Sequence, residues 1–247
     1  MLTDKRIVLG VTGGIAAYKA VEVCRLLVDA GAHVVPVLTE GAEHFVGRTT
    51  FSALASEPAQ TSLWNEASPI PHTTLGQSAD LVLVAPATAR LLSAYASGYS
   101  HDLLTNVLIA TRAPVVLCPA MHTEMWEHPA VRANIATLRA RGAHLVEPEE
   151  GRLAGGDSGA GRLAAPARIV PAFRDPRLDH QFLHHVVPPV VHPSPPLQKA
   201  RPATASRSSA ASRRAACSSR SPAGCPRRRD RPTPPTRCAW SFEGRET

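Results

Sequence analysis

Four short, almost uninterrupted aliphatic runs recur along the first 170 residues: RIVLGV (Arg6–Val11), HVVPVL (His33–Leu38), LVLVA (Leu81–Ala85) and PVVLC (Pro114–Cys118). A strand with one wet face alternates apolar and polar residues. These runs do not, so both of their faces must be covered, which is the condition of strands in a parallel sheet. Parallel neighbours need long crossovers, and the intervening sequence supplies helical ones. Ile15–Ala30 carries Lys19, Glu22, Arg25 and Asp29 on one face and stops at Gly31. Ala87–Ala96 and Asp102–Thr111 read as helices, and Pro129 opens another that Gly142 closes, with Val131, Ile135 and Leu138 along one side. Pro36 lacks the N–H a central strand requires, so the second run is expected at an edge or with an irregularity. The expected architecture over residues 1–170 is α/β, a parallel sheet with helices on both faces.

The remaining residues, 171–247, are a different material. Between Gln198 and Thr247 there is no Leu, Ile, Val or Met. Such a segment cannot bury enough surface to offset the entropy of ordering it. The charge divides at the same place: residues 1–170 hold 13 Lys/Arg against 15 Asp/Glu, whereas 171–247 hold 14 against 5. The overall net charge of +7 therefore belongs to a basic, low-complexity tail, expected to be disordered. Three origins are open for it. Arg outnumbers Lys 24 to 3, as in a GC-rich gene, and out-of-frame translation of such DNA yields Arg, Pro, Ala, Ser and Cys. The others are a solvated segment without a partner and a basic arm for nucleic acid. Nucleic acid is not expected as a partner, since the tail is its only support.

No run of about 18 apolar residues is present, so no membrane-spanning helix is expected. The opening MLTDKRIVLGVTGG reads as a strand and turn, not a signal peptide. Five cysteines without a CxxC pair indicate neither a disulfide framework nor a zinc site. A cytoplasmic protein without a metal is expected.

In an open parallel sheet, ligands bind beyond the carboxyl ends of the strands. Four segments fall there: Thr12-Gly13-Gly14, Thr39-Glu40-Gly41, Ala85-Pro86-Ala87-Thr88 and Pro119-Ala120-Met121-His122. Gly13 and Gly14 allow close backbone approach, and the helix that follows offers unpaired N–H groups suited to phosphate. Thr39 and Thr88 add hydroxyls. Gly10-x-x-Gly13-Gly14 is not the dinucleotide GxGxxG pattern, and Thr39 rather than an acidic residue ends the second strand. The choice lies between a generic tight turn and a site for a phosphate-bearing ligand smaller than a dinucleotide.

Taken in order, VTGGIAAYKA (Val11–Ala20), LTEGAEHFV (Leu38–Val46), APATA (Ala85–Ala89), SGYSHDLLT (Ser97–Thr105), PAMHTEMW (Pro119–Trp126) and GRLAGGDSGAGRL (Gly151–Leu163) resemble the homo-oligomeric flavin-containing cysteine decarboxylases. The resemblance runs from about Lys5 to Ile169 and is strongest to the decarboxylase half of bacterial bifunctional coenzyme A biosynthesis proteins. It implies a Rossmann-like (flavodoxin-like) fold, FMN, homotrimers or assemblies of trimers, and decarboxylation of 4′-phosphopantothenoylcysteine to 4′-phosphopantetheine. Flavin oxidation of the cysteine side chain gives a thioaldehyde, loss of CO2 leaves an enethiolate, and the returned hydride gives the product.

Carried onto this sequence, the resemblance implies cofactor contacts at Thr12, Gly13, Gly14, Ile15, Thr39, Phe45, Pro86, Ala87, Thr88 and Met121. It implies His72, in PIPHTTLGQSAD, as the base; imidazole titrates near pH ~6.5 when unperturbed. His122 is implied as a second catalytic group that anchors the substrate carboxylate, with Ala154, Gly155 and Gly156 in a flexible loop over the substrate. Met125 and Trp126 fit either the site or core packing. Two positions depart from the family. His122 stands where many relatives have Asn, and Gly155 where many have a cysteine that donates a proton in the reductive step. Neither Cys24 nor Cys118 is a replacement, so either another group protonates the intermediate or the reaction stops at the oxidised enethiol. Nothing in residues 170–247 resembles the ligase half of the bifunctional proteins, so no ligase activity is expected. Two other functions compete: oxidative decarboxylation of a peptide's C-terminal cysteine, and a flavin-binding regulatory subunit without turnover.

Overall fold

A computed structural model describes residues 2–64 and 69–171. The expected basic tail, Pro171 apart, lies outside the described residues. Five strands, β1 (Arg6–Val11), β2 (His33–Leu38), β3 (Leu81–Ala87), β4 (Val115–Pro119) and β5 (His144–Leu145), form one sheet in the order β2-β1-β3-β4-β5. All four pairings are parallel. Pro36 pairs with Leu9 from the edge strand β2, whose outer side carries a bridge from Val37 to Gln60 and bonds between Val34 and Ser56. A separate antiparallel hairpin joins β6 (Glu149–Arg152) to β7 (Ser158–Arg162).

The helices are α1 (Ala17–Asp29), α2 (Glu40–Glu43), α3 (Arg48–Leu54), α4 (Pro71–Ser78), α5 (Ala89–Ser97), α6 (Leu103–Ala110), α7 (Thr123–Glu127), α8 (Pro129–Ala140) and α9 (Pro166–Ile169). Two buried layers sandwich the sheet. Ile7, Leu9 and Val11 of β1 pack with Leu81 and Leu83 of β3 against Val23, Leu27, Phe51 and Ile169. On the other face Val8, Val82 and Val84 meet Leu92, Leu104, Val107, Ile135 and Leu138. The parity of the strand residues decides which layer each enters. In β3 the register slips between Val84 and Ala87, so Ala85 belongs to the first layer and Ala87 to the second.

The four aliphatic runs and helices α1, α5, α6 and α8 stand where the periodicity puts them, within one or two residues, whereas α4 is not among the helices expected. Helices α2, α3, α7 and α9 are too short for a period to register in sequence. The largest difference is at Gly151–Gly161, expected as a flexible loop. It forms the β6–β7 hairpin, pinned by Thr123 Oγ1 donating to the Ala160 carbonyl (2.8 Å) and by Met121 N–H donating to the Gly161 carbonyl (2.9 Å). Among the described residues no helix is long and apolar enough to cross a membrane.

Candidate active site

The strand order changes direction between β1 and β3, and the loops that leave these two strands diverge to opposite faces of the sheet. Such a switch point opens a crevice at the carboxyl edge. A cavity of about 1000 Å³ occupies it, lined by the segments after β1, β2, β3 and β4 together with the β6–β7 hairpin. Thr12, 3% exposed, ties two of these segments together. Its hydroxyl donates to the Pro86 carbonyl (2.7 Å) and accepts from the Thr88 N–H (3.2 Å). The turn after β1 meets the turn after β2 backbone to backbone: a Cβ on Gly13 would lie 2.6 Å from the Gly41 carbonyl carbon and oxygen. Only glycine at 13 permits that approach. Thr39 caps α2 by accepting from Ala42 N–H (3.3 Å), whereas no side chain caps α1. Backbone carbonyls take two of the N–H groups that open α1, Ala17 donating to Gly14 (2.9 Å) and Lys19 to Ala16 (3.0 Å), so the turn packs tightly with no side chain standing over the helix start.

Of the residues expected at a cofactor, Thr12, Gly13, Gly14, Ile15, Thr39, Pro86, Thr88 and Met121 line the cavity. Phe45 and Ala87 do not. Phe45 follows α2 and is half-exposed outside the crevice, because that single turn carries the chain away from it. Ala87 is fully buried in the second core layer, where the slip in β3 sends it. Met125 lines the cavity, whereas Trp126 is buried in the core with the Arg132 guanidinium 5.0 Å over its ring. His72 is not in the lining. It stands in the first turn of α4, with a buried Nδ1 that has no partner among the described residues. Because α4 leads into β3 as a crossover, that first turn is at the same carboxyl edge as the cavity.

His122, the N-cap position of α7, lines the cavity and joins two carboxylates. Its Nδ1 is 2.6 Å from Glu124 Oε2 and its Nε2 is 3.2 Å from Asp157 Oδ1 at the hairpin tip. The Glu124 hydrogen bond, opposed by slight desolvation and assisted by Asp157, raises its pKa above the ordinary 6.5. Ala154 lines the cavity, Gly155 lies against His122, and Gly156 at φ +98° turns the tip.

Other lining residues had not been singled out. Lys19, Arg90, Arg152 and Arg162 face Glu40 and Asp102 around the cavity, a balance that favours an anion. Burial, then the neighbouring Arg162, lowers the pKa of Lys19 despite Glu149 and Glu22. His101 also lines it, with a buried Nδ1 that has no partner among the described residues. The motif SGYSHDLLT contained His101 and Asp102, the only sequence signal for either.

A parallel α/β sheet with a phosphate-suited crevice at its switch point defines a nucleotide- or flavin-binding class of protein. The chain belongs to the Flavoprotein family, whose sequence profile matches residues 1–175. It is 55% identical over 165 residues to the coenzyme A biosynthesis bifunctional protein CoaBC of Mycobacterium tuberculosis (strain ATCC 25618 / H37Rv), covering 67% of this chain and 40% of that protein. The chain spans about two fifths of the length of such curated relatives. Among solved structures it is similar to a Cys-to-Ser mutant of PPC decarboxylase complexed with pantothenoylaminoethenethiol. That match has TM-score 0.62 and 30% identity over 69% of this chain and 97% of that one. It is also similar to the FMN binding protein AtHal3, with TM-score 0.60 and 29% identity over 69% and 95% of the two chains.

Proposed function

We propose that residues 1–170 form an FMN-dependent decarboxylase that converts 4′-phosphopantothenoylcysteine to 4′-phosphopantetheine. One observation carries this reading: residues 1–175, which match the Flavoprotein family, are the stretch that builds the cavity at the switch point, in a chain similar to CoaBC and PPC decarboxylase. The residues present fit FMN. Glycine at 13 lets the turns after β1 and β2 close backbone to backbone at the cavity, no side chain caps the start of α1, and cations line the cavity. The orphaned His101 Nδ1 offers a further polar contact.

FMN, when bound, supplies a two-electron acceptor that stores a hydride and returns it. The chain does the rest. Gly13, Gly14, Ile15, Thr39, Pro86, Thr88 and Met121 hold the cofactor, and Thr12 fixes the two loops that carry it. His122, whose carboxylate neighbours raise its pKa, pairs with the substrate carboxylate, and Ala154 and Gly155 close over it. His72 is the base, serving a cavity across a contact between copies in a homotrimer or assembly of trimers. The exposed Ile15, Tyr18, Phe45 and Trp64 support that contact. The free, buried Cys24 and Cys118 suit a cytoplasmic setting.

The test is the visible spectrum of the purified chain and product masses after incubation with phosphopantothenoylcysteine. A yellow protein that removes CO2 alone is the expected result. A yellow protein that leaves the substrate intact overturns it. Gly155, which has no thiol, favours a second reading in which the reaction stops at the oxidised enethiol. Its product lacks CO2 and two hydrogens.

A further inference from the structure

We infer that His122, through Nε2, delivers the proton that returns the decarboxylated intermediate to the saturated product, and that Gly155 is the residue that makes room for it. The inference rests on the decarboxylase reading above. A Cβ built on Gly155 falls 2.9 Å from His122 Nε2 and 3.0 Å from Asp157 Oδ1. The imidazole nitrogen therefore crowds the point where a side chain at 155 would begin, and a side chain there would push the ends of His122 and Asp157 aside. The two departures from the family pattern are thus neighbours in space.

The ring is set up as a donor. Glu124, two residues along and in the first turn of α7, holds Nδ1 at 2.6 Å and fixes the ring's orientation. That leaves Nε2 as the working end, the arrangement by which a third group orients an acid–base histidine. Asp157 meets Nε2 at the longer distance of 3.2 Å; both carboxylates are exposed, Asp157 at 46% and Glu124 at 78%, so the shorter Nδ1 contact is what marks Glu124 as the orienting partner. Exposed ion pairs contribute little to stability. Asp157 holds the Nε2–H only until substrate displaces it. One atom each of His122, Glu124 and Asp157 lie within 4.8 Å of one another, a spacing that also suits a metal ion. With both ring nitrogens facing carboxylates, the protonated ring is favoured, and that form has no lone pair to give a metal.

The step balances. Loss of CO2 leaves an ene-thiolate, −S–CH=CH–NH–R. The C=C pair takes the proton from Nε2 at the carbon that bore the carboxylate, while a sulfur lone pair forms C=S. The resulting thioaldehyde receives, at its sulfur-bearing carbon, the hydride that the flavin accepted in the oxidative half. The product is the thiolate −S–CH2–CH2–NH–R. His122, left neutral, regains its proton from solvent on its exposed side.

The experiment compares wild type with His122→Asn, Gly155→Ala, and the pair His122→Asn with Gly155→Cys, each checked for flavin content and thermal midpoint. Wild type is expected to release the product that has lost CO2 alone. His122→Asn should form it about a hundredfold more slowly and accumulate the species two hydrogens lighter, and the pair should recover it. In the unliganded protein, Gly155→Ala should lower the His122 titration midpoint read from its Cε1 proton by NMR, because the new methyl pushes the ring off its carboxylates. If wild type and His122→Asn release the same saturated product at the same rate, or the Gly155→Ala midpoint is unmoved, the donor assignment is overturned and the decarboxylase stands. If wild type releases only the lighter species, the same holds. If wild type leaves the substrate intact, the decarboxylase reading falls and takes the donor with it.

Discussion

Replacing Thr12 by Val keeps the shape of a buried side chain and removes one hydroxyl. That hydroxyl donates to the Pro86 carbonyl at 2.7 Å and accepts from the Thr88 N–H at 3.2 Å, and Thr12 is 3% exposed. Valine leaves a carbonyl and an N–H without their partner. A buried polar group left unsatisfied costs about 1–3 kcal/mol. Pro86 and Thr88 both line the cavity, so solvent there offsets part of that loss. The sum comes to about 3 kcal/mol. At about 2–4 °C per kcal/mol for a chain of this size, the thermal midpoint should fall by about 6–12 °C. Thr12→Ser keeps the hydroxyl and should fall by less than half as much. The assay is thermal unfolding of the flavin-free protein followed by circular dichroism, then flavin titration of each variant. Flavin should bind the Val variant more weakly, because the loops after β1 and β3 are no longer tied. A Val variant that melts within about 2 °C of wild type would refute the reasoning, since the hydroxyl would then not be holding the two loops.

Gly13→Ala should weaken flavin binding by at least about tenfold, equivalent to ~1.4 kcal/mol, because its Cβ would meet Gly41 backbone at 2.6 Å; quenching of flavin fluorescence reads it. Glu57 bridges the starts of two strands, 2.5 Å from Arg6 Nη1 and 2.8 Å from His33 Nε2. Burial alone would raise its pKa, but the bonds to Arg6 and His33 outweigh it and the pKa lies below the ordinary 4.5. A depressed carboxyl stabilises the fold above its unfolded pKa and loses that contribution as pH falls through the folded one. Thermal midpoints of wild type should therefore drop on acidification below pH 4.5, and Glu57→Gln should flatten that part of the profile. An equally steep profile in the variant would assign the acid loss elsewhere.

The parallel sheet was legible because its signal is local. β1 and β2 are bounded by the aliphatic runs themselves, and α1 by its charged face and Gly31. What escaped the sequence depends on residues distant along the chain. Lys19 reads as part of a solvated face of α1, yet its Nζ reaches to 3.4 Å from the Leu163 carbonyl and lines the cavity. Arg90, Arg152 and Arg162 come from α5 and the two hairpin strands, so no spacing rule groups them. The hairpin reads as a loop because Gly151, Gly155, Gly156, Gly159 and Gly161 have little strand propensity. What fixes it is Thr123 and Met121, some 37 to 40 residues away. Phe45 and Ala87 were placed by position in a motif, but a single helical turn and a one-step slip in β3 decide where they face.

The attachment of the hairpin has a consequence for selectivity. Its β7 strand is bonded to Met121 and Thr123, on either side of His122, so its base cannot swing away from the site it covers. Only the tip, residues 153–157, is free of such backbone anchorage, closed on itself by Leu153 N–H to the Asp157 carbonyl at 2.7 Å. An aperture of this kind admits the slender end of a molecule and leaves its bulk outside. Discrimination is then divided along the length of the guest. The inner end is judged by the fit of one functional group beneath a small clasp, and the remainder by charge along the rim.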